Sequence, residues 1–232
     1  AMEPEVDSTI DLLNKMGASI QGKGSTTLTI EGVDELFPVQ MEMIPDRIEA
    51  GTFLIAGALS TKAVTVCGCN PEHLTALLDK LREAGCELQI AGSDITVNPP
   101  KTIKATNILT LPHPGFPTDL QAQMTVLMSL ADGVSFVEDT VFPDRFMHVA
   151  ELNRLQADIQ MQRNVARING VKSLSGAEVM ATDLRASAAL VLAGMVAEGT
   201  TTVSRIYHID RGYDRIEEKL NGIGAKIKRE QG

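Results

Sequence analysis

Apolar residues recur at helical spacing in four stretches of the chain, Ile10–Ile20, Leu77–Leu88, Val149–Ile159 and Ile216–Ile227, and each runs through a short turn into a strand-like alternation. The turns centre on Gly17, Gly85, Gln156 and Gly224, which are 68, 71 and 68 residues apart. Such a period marks an internal repeat. A helix that ends on a left-handed residue favours glycine there, so Gln156 is expected to carry modest strain or a different turn. An acidic residue precedes each helix, namely Glu5, Glu72, Asp144 and Asp210, where the helix dipole favours negative charge.

Three further segments are apolar almost all round: Phe53–Leu59, Met124–Leu130 and Ala188–Met195. They follow Pro45-Asp46-Arg47, Pro117-Thr118-Asp119-Leu120 and Thr182-Asp183-Leu184-Arg185, and lead into β-branched runs at Val64, Val134 and Thr200. From each aspartate to the next turn is 39, 37 and 41 residues. One unit therefore reads helix, strand, helix, strand, strand. Helices that are hydrophobic on every face belong in an interior, so the expected architecture is a pseudo-threefold α/β domain with these helices central and the sheets outside. Residues 45–232 supply three units, and residues 1–44 are a half unit with strands at 19–23 and 26–31. Half a unit cannot close a core, so the chain is expected to be a piece of a longer polypeptide, with Ala1-Met2 a cloning junction.

Composition narrows the function. At 232 residues with 44% hydrophobic and 22% charged residues, there is material for a substantial core. Lys+Arg 21 against Asp+Glu 30 gives a net charge of -9, with 3% aromatics and no tryptophan. Those values disfavour a phosphate-backbone footprint or base-stacking platform, and hence nucleic acid as a partner. No apolar run approaches membrane-spanning length and the N-terminus has no signal-peptide pattern, so a cytoplasmic protein without membrane contact is expected. Cys67, Cys69 and Cys86 read as buried structural thiols, and His113, His148 and His208 as hydrogen-bonded structural residues; neither set has metal-ligand spacing. Dinucleotide, P-loop and hydrolase-elbow motifs are absent from the sequence.

Three places carry candidate chemistry. In Leu111-Pro-His-Pro-Gly-Phe-Pro-Thr-Asp119 three prolines stiffen a loop that delivers Asp119 to a helix start, more than an ordinary cap requires. Its alternatives are a catalytic or ligand-binding carboxylate and a plain N-cap. Ala181-Thr-Asp-Leu-Arg185-Ala-Ser adds a guanidinium to a helix opening, which suits a phosphate or carboxylate; the alternative is a surface pair between Arg185 and Asp183. Arg205-Ile-Tyr-His-Ile-Asp-Arg211-Gly-Tyr213 holds both tyrosines of the chain and places Arg211 in reach of an anion, or of solvent alone.

Together with Pro45-Asp-Arg-Ile-Glu-Ala-Gly-Thr, Thr140-Val-Phe, Arg145-Phe-Met-His-Val and Leu174-Ser-Gly-Ala, these motifs resemble the UDP-N-acetylglucosamine enolpyruvyl transferases along essentially the whole chain. The resemblance covers the C-terminal part of the family's protein. It implies an inside-out α/β barrel of pseudo-threefold repeated units, in which residues 1–44 end a first domain and residues 45–232 form most of a second. It also implies phosphoenolpyruvate and UDP-N-acetylglucosamine as substrates, with no cofactor or metal, in the first committed step of peptidoglycan synthesis.

Residue by residue, the resemblance implies that Asp119 is the base at the sugar 3-hydroxyl and that Arg185 and Arg211 hold the phosphoenolpyruvate side. It implies that Val141 and Phe142 line the nucleotide-sugar site and that Asp46 and Asp183 organise the cleft. The family's loop acid and its N-terminal lysine–asparagine pair have no counterpart here, so the missing N-terminal half is an expected partner and the chain alone is expected to be inactive. Pro143 departs from the family's usual glutamate. Competing readings are a non-catalytic nucleotide- or partner-binding repeat scaffold, a sister enolpyruvylshikimate-phosphate synthase-like enzyme, and an RNA 3′-phosphate cyclase relative, the last disfavoured by the net charge.

Overall fold

The computed structural model describes residues 2–230. The four turns behave as one device. Helices α1 (Pro4–Lys15), α3 (Thr75–Glu83), α5 (Met147–Arg154) and α7 (Ile216–Gly222) each end in a residue with positive φ. These are Gly17 at 106°, Gly85 at 99°, Gln156 at 68° and Gly224 at 104°. Gln156 thus takes the same left-handed conformation as the glycines, at the strain cost of a side chain there. At every turn the next amide reaches back five residues: Ala18 to Leu13, Cys86 to Leu81, Ala157 to Leu152 and Ala225 to Leu220. This bond satisfies a helix-end carbonyl.

Three of the turns share a second lock. Asn14, Asn153 and Asn221 each donate to the carbonyl and accept from the amide of the residue six positions on, Ile20, Ile159 and Ile227, at 2.7–3.0 Å. Each asparagine acts as a backbone surrogate that fixes the strand leaving the turn. Arg82 holds this place before Gly85 and pairs instead with Asp79.

The middle of the domain is helical. Helices α2 (Arg47–Leu59), α4 (Gln121–Ser129) and α6 (Leu184–Val196) pack on one another. Every residue of α4 is buried. Its hydroxyls survive burial by bonding one turn back, Thr125 Oγ1 to the Gln121 carbonyl at 3.0 Å and Ser129 Oγ to that of Thr125 at 2.8 Å. Gly51 lets α2 approach closely, since a Cβ there would lie 2.6 Å from Leu120 Cδ1.

The sheets lie against this helical centre. Strands β3 (Val64–Val66), β4 (Glu87–Ala91) and β5 (Asp94–Asn98) form an antiparallel sheet in the order β3-β5-β4. The next sheet is β6-β7-β9-β8, from β6 (Ile108–Thr110), β7 (Val134–Asp139), β8 (Asp158–Gln162) and β9 (Val165–Asn169). Strands β10 (Glu178–Met180) and β11 (Thr202–Ser204) pair in parallel. The helix, strand, helix, strand, strand unit is complete twice. In the third, described through α7, residues 225–230 form no strand. Strands β6 and β10, which the repeat reading did not anticipate, each precede a central helix and pair in parallel with the strand after it.

Helix α1 is tied to α2 by the Glu5–Arg47 pair, while residues 21–40 are exposed. Strands β1 (Ser19–Gln21) and β2 (Thr29–Glu31) form an antiparallel hairpin, and β2 is exposed throughout. A two-stranded hairpin is marginal in water. Large apolar side chains continue outward through Met43, with Ile30 66% and Met43 65% exposed.

The sequence assigned all three thiols to the interior, and Cys69 and Cys86 are there. Cys67 is exposed, because β3 ends at Val66 and the chain turns at Gly68 with φ 71°.

Candidate functional site

The three helix openings look alike in sequence and differ in structure. Asp46 caps α2 by accepting from Ile48 N and Glu49 N at 2.8 and 2.9 Å, and Asp183 caps α6 by accepting from Arg185 N and Ala186 N at 2.8 and 2.9 Å. Both therefore serve the backbone with Oδ1, an architectural use beside the cleft role the sequence led us to expect. In the second unit the cap position falls to Pro117, which lies 39 residues before Gln156, the separation of Asp46 from Gly85. Proline offers no side-chain cap. Asp119 sits two residues further on, inside the 3-10 turn Thr118–Leu120, with its carboxylate free of capping.

That carboxylate meets two guanidinium groups. Arg185 Nε donates to Asp119 Oδ1 at 3.0 Å, and Arg145 Nη1 lies 3.1 Å from the same oxygen. Burial pushes the Asp119 carboxyl up, but the charge and hydrogen bonds of Arg185 and Arg145 outweigh it and hold the group below the ordinary aspartate range. The surface pair of Arg185 with Asp183 weighed from the sequence is not formed, because Asp183 is occupied by the helix N-terminus.

Both arginines are themselves supported. Arg185 Nη1 donates to the Tyr213 hydroxyl at 3.5 Å, which lies 2.8 Å from Thr52 Oγ1, and Gln123 Nε2 donates to that threonine at 3.0 Å. One polar line thus crosses all three central units. Arg145 donates to Thr118 Oγ1 at 3.4 Å and stands 5.4 Å over the centre of the Phe142 ring, a cation–π arrangement.

Asp139, at the end of β7, organises the surroundings. It is fully buried. Its Oδ1 accepts from Thr110 Oγ1 at 2.7 Å, Val141 N at 3.0 Å and Phe142 N at 2.8 Å, and its Oδ2 from Thr118 Oγ1 at 2.6 Å. One carboxylate therefore fixes β6, the turn bearing Asp119, and the Val141-Phe142 segment, whose phenylalanine remains 57% exposed. Sequence reasoning missed Asp139, Tyr213, Thr52 and Gln123 as members of the site and quoted Arg145 without a role. The one signal was an acid closing an otherwise β-forming run, Val134-Ser-Phe-Val-Glu-Asp139.

Arg211 stands apart. It is exposed in the 3-10 segment Ile206–Arg211, in an open groove with Glu49 and Asp214, and forms no ion pair among the described residues. Its neighbour Asp210 is taken by Arg229, whose Nη1 and Nη2 donate at 2.9 and 2.8 Å. Among the described residues, Arg211 is linked to the Asp119 cluster along the chain through Tyr213, two residues on, which meets Arg185. Glu5, read from sequence as a helix-dipole residue, grips the buried Arg47 through both carboxylate oxygens, at 2.9 and 3.2 Å. His148 is buried with Nε2 lacking a partner among the described residues, unlike the hydrogen-bonded role expected of it. Among the described residues no cluster of His, Cys, Asp or Glu could hold a metal ion, and no helix is long and apolar enough to cross a membrane.

A repeated α/β domain with its helices inside, opening on a carboxylate between two arginines, has the architecture of the carboxyvinyl, or enolpyruvyl, transferases. The crystal structure of the enolpyruvyl transferase NikO from Streptomyces tendae matches 97% of this chain and 54% of its own, with a TM-score of 0.87 and 28% identity. EPSP synthase from Acinetobacter baumannii shares the fold, with a TM-score of 0.64 at 17% identity over 82% of this chain and 45% of its own. The profile of EPSP synthase (3-phosphoshikimate 1-carboxyvinyltransferase) matches residues 1–220, and the chain belongs to that family. Within it, the UDP-N-acetylglucosamine 1-carboxyvinyltransferase of Myxococcus xanthus is 56% identical over 231 residues, 100% of this chain and 55% of the relative. That of Desulfosudis oleivorans is 52% identical over 229 residues, 99% of this chain and 55% of the relative. The chain spans about half the length of the curated relatives it matches.

Proposed function

We propose that this chain is the C-terminal part of an enzyme that moves the enolpyruvyl group of phosphoenolpyruvate onto the 3-hydroxyl of UDP-N-acetylglucosamine, for peptidoglycan synthesis in the cytoplasm. The observation that carries this reading is identity above half, along the full chain, to relatives bearing that name, and the grouping of Asp119 with Arg185 and Arg145 supports it. The sister reaction on phosphoshikimate has weaker support, since the similarity to solved EPSP synthases is at the level of fold. Three unpaired cysteines fit a reducing compartment.

In this mechanism the sugar hydroxyl adds to C2 of phosphoenolpyruvate while Asp119 accepts its proton. The electron pair of the C2–C3 double bond takes a proton at C3 from an acid outside this chain. Phosphate then leaves with the C2–O bond pair, and loss of a C3 proton restores the double bond. Arg185 and Arg211 offset the carboxylate and phosphate charge, and Val141 and Phe142 line the nucleotide-sugar side, with Asp46 and Asp183 shaping the cleft through the helix openings they cap. Residues 1–44 close a first domain, residues 45–232 form the second, and the Glu5–Arg47 pair ties the two stretches. The apolar face from Leu28 to Met43 packs on the portion of the enzyme that lies outside this chain; its exposure is what supports that partner.

The test is phosphate release from phosphoenolpyruvate on adding UDP-N-acetylglucosamine, with this chain alone and then mixed with the separately produced preceding portion. Activity is expected only in the mixture and is lost in Asp119→Ala or Arg211→Ala. Activity of the chain alone overturns the division of the site, and silence from demonstrably associated portions overturns the enzyme reading.

A further inference from the structure

A carboxylate is a weak base while cations hold its charge, and in this structure two of them hold Asp119. Two cations share its Oδ1, while Oδ2 takes no hydrogen bond from a described residue. The two cations are held differently. Arg145 is anchored to Asp119's own turn, through Thr118, and to the face of Phe142 beside it, so it moves with the carboxylate. Arg185 comes from α6 across the site and is steadied from behind by Tyr213. A carboxylate and an incoming anion compete for Arg185, whereas Arg145 has its own fixed surroundings.

We propose that Asp119 is a masked base: an enolpyruvyl donor entering at the opening of α6 draws the Arg185 guanidinium off Oδ1, and Arg145 is a positioning residue that keeps the freed carboxylate aimed. This rests on the reading of Arg185 as a donor-binding group given above. The carboxylate is then the stronger base in the complex that also holds the donor, so deprotonation is coupled to occupancy. The coupling is reciprocal: a protonated Asp119 no longer competes for Arg185, so the anion binds more tightly. A rise of one pH unit in the Asp119 midpoint corresponds to tenfold tighter anion binding to the protonated form than to the ionised one.

The groups facing Asp119 are Arg185 from α6 and Arg145 from the segment before α5. Behind them stand the Tyr213 phenol, Asp183, Asp139 and the buried His148. The experiment follows the Asp119 carboxyl by carbon-13 NMR in this chain, which holds all three groups, with the resonance assigned by its loss in Asp119→Asn. Saturating phosphoenolpyruvate is expected to raise the Asp119 midpoint by about one pH unit or more. Arg145→Gln and Arg145→Lys raise or retain the starting midpoint but keep the rise on adding phosphoenolpyruvate, whereas Arg185→Gln raises the starting midpoint and abolishes the response. Phosphoenolpyruvate that binds, by calorimetry, without moving the midpoint overturns the masking and leaves the donor site standing. No binding by the folded chain, either alone or associated with the separately produced preceding portion, overturns the Arg185 donor site and the masking together.

Discussion

The hydroxyl of Thr52, in the first central helix, lies 2.8 Å from the phenol of Tyr213, 161 residues further along the chain. This contact carries the interior polar line out to Arg185, and through it to Asp119. In Tyr213→Phe the buried Thr52 loses one partner and Arg185 its rear support. The variant is expected to lose about 1 kcal/mol of stability, read from the denaturant midpoint, and to bind phosphoenolpyruvate more weakly in calorimetry.

Asp139 has four donors aimed at it from inside the protein. Asp139→Ala leaves the hydroxyls of Thr110 and Thr118 and two backbone amides without their acceptor, a loss on the order of 3 kcal/mol. Asp139→Asn costs less, since one oxygen remains. Hydrogen exchange is expected to show lost protection at Val141 and Phe142 in both variants, because their amides depend on this side chain.

His148 makes stability fall in acid. Burial lowers its pKa to about 4, with Arg145 adding to the effect against the opposing charges of Asp183 and Asp139. The folded value lies below the unfolded one of about 6.5, so the unfolded chain binds the proton first. The contribution is complete above pH 6.5 and is lost as pH falls towards 4, amounting to roughly 3 kcal/mol. Urea unfolding at a series of pH values checks this, and in His148→Phe the His148 part of the slope over that window disappears.

The Glu5–Arg47 pair joins the first helix to the first central helix. Burial raises the Glu5 pKa, but the hydrogen bonds and charge of Arg47 more than offset this and leave it lowered. A double-mutant cycle with Glu5→Gln and Arg47→Gln is expected to give a coupling of about 1 kcal/mol, modest because Glu5 is half exposed. The folded value is below the unfolded one, so the coupling is present above the ordinary glutamate pKa and vanishes as pH falls through the folded value.

Gly170 is required by contact. A Cβ there would lie 1.6 Å from the Ala131 carbonyl oxygen, a backbone atom at the end of the second central helix. Gly170→Ala must separate β9 from that segment, and a loss of more than about 3 kcal/mol, or failure to fold, is expected in thermal melts. Gly199→Ala provides the contrast: nothing lies within 4 Å of its Cβ, and the only burden is its φ of 89°.

Local physics made much of the fold legible. Helices α2 and α6 announce themselves as interior because they have hardly any polar face, and the four turns because a left-handed residue must follow each helix. Even the asparagine lock lay in the sequence, three residues before Gly17, Gln156 and Gly224, though its meaning needed the bond to the strand beyond. Among the described residues, 225–230 form no strand where the repeat led us to expect one.

The site was legible only in part, and Asp119 shows why. The shortened spacing of 37 residues to Gln156 is visible in the sequence, but its effect, a proline in the cap position and a carboxylate released from capping, depends on where the backbone turns. By itself, then, the sequence determined the repeat, the central helices and the residue types able to handle anions, since these follow from periodicity and side-chain chemistry, while the family came from the resemblance of its motifs. Tertiary structure alone decided that Asp46 and Asp183 cap while Asp119 pairs, that Arg145 and Arg185 share one oxygen, and that Asp139 holds the surroundings. Beside the local caps, the pairs of Asp119 with Arg145 and Arg185 and of Asp139 with Thr110 and Thr118 join residues tens of positions apart through hydrogen bonds of about 3 Å, and a distance of that kind is set by packing of the whole core.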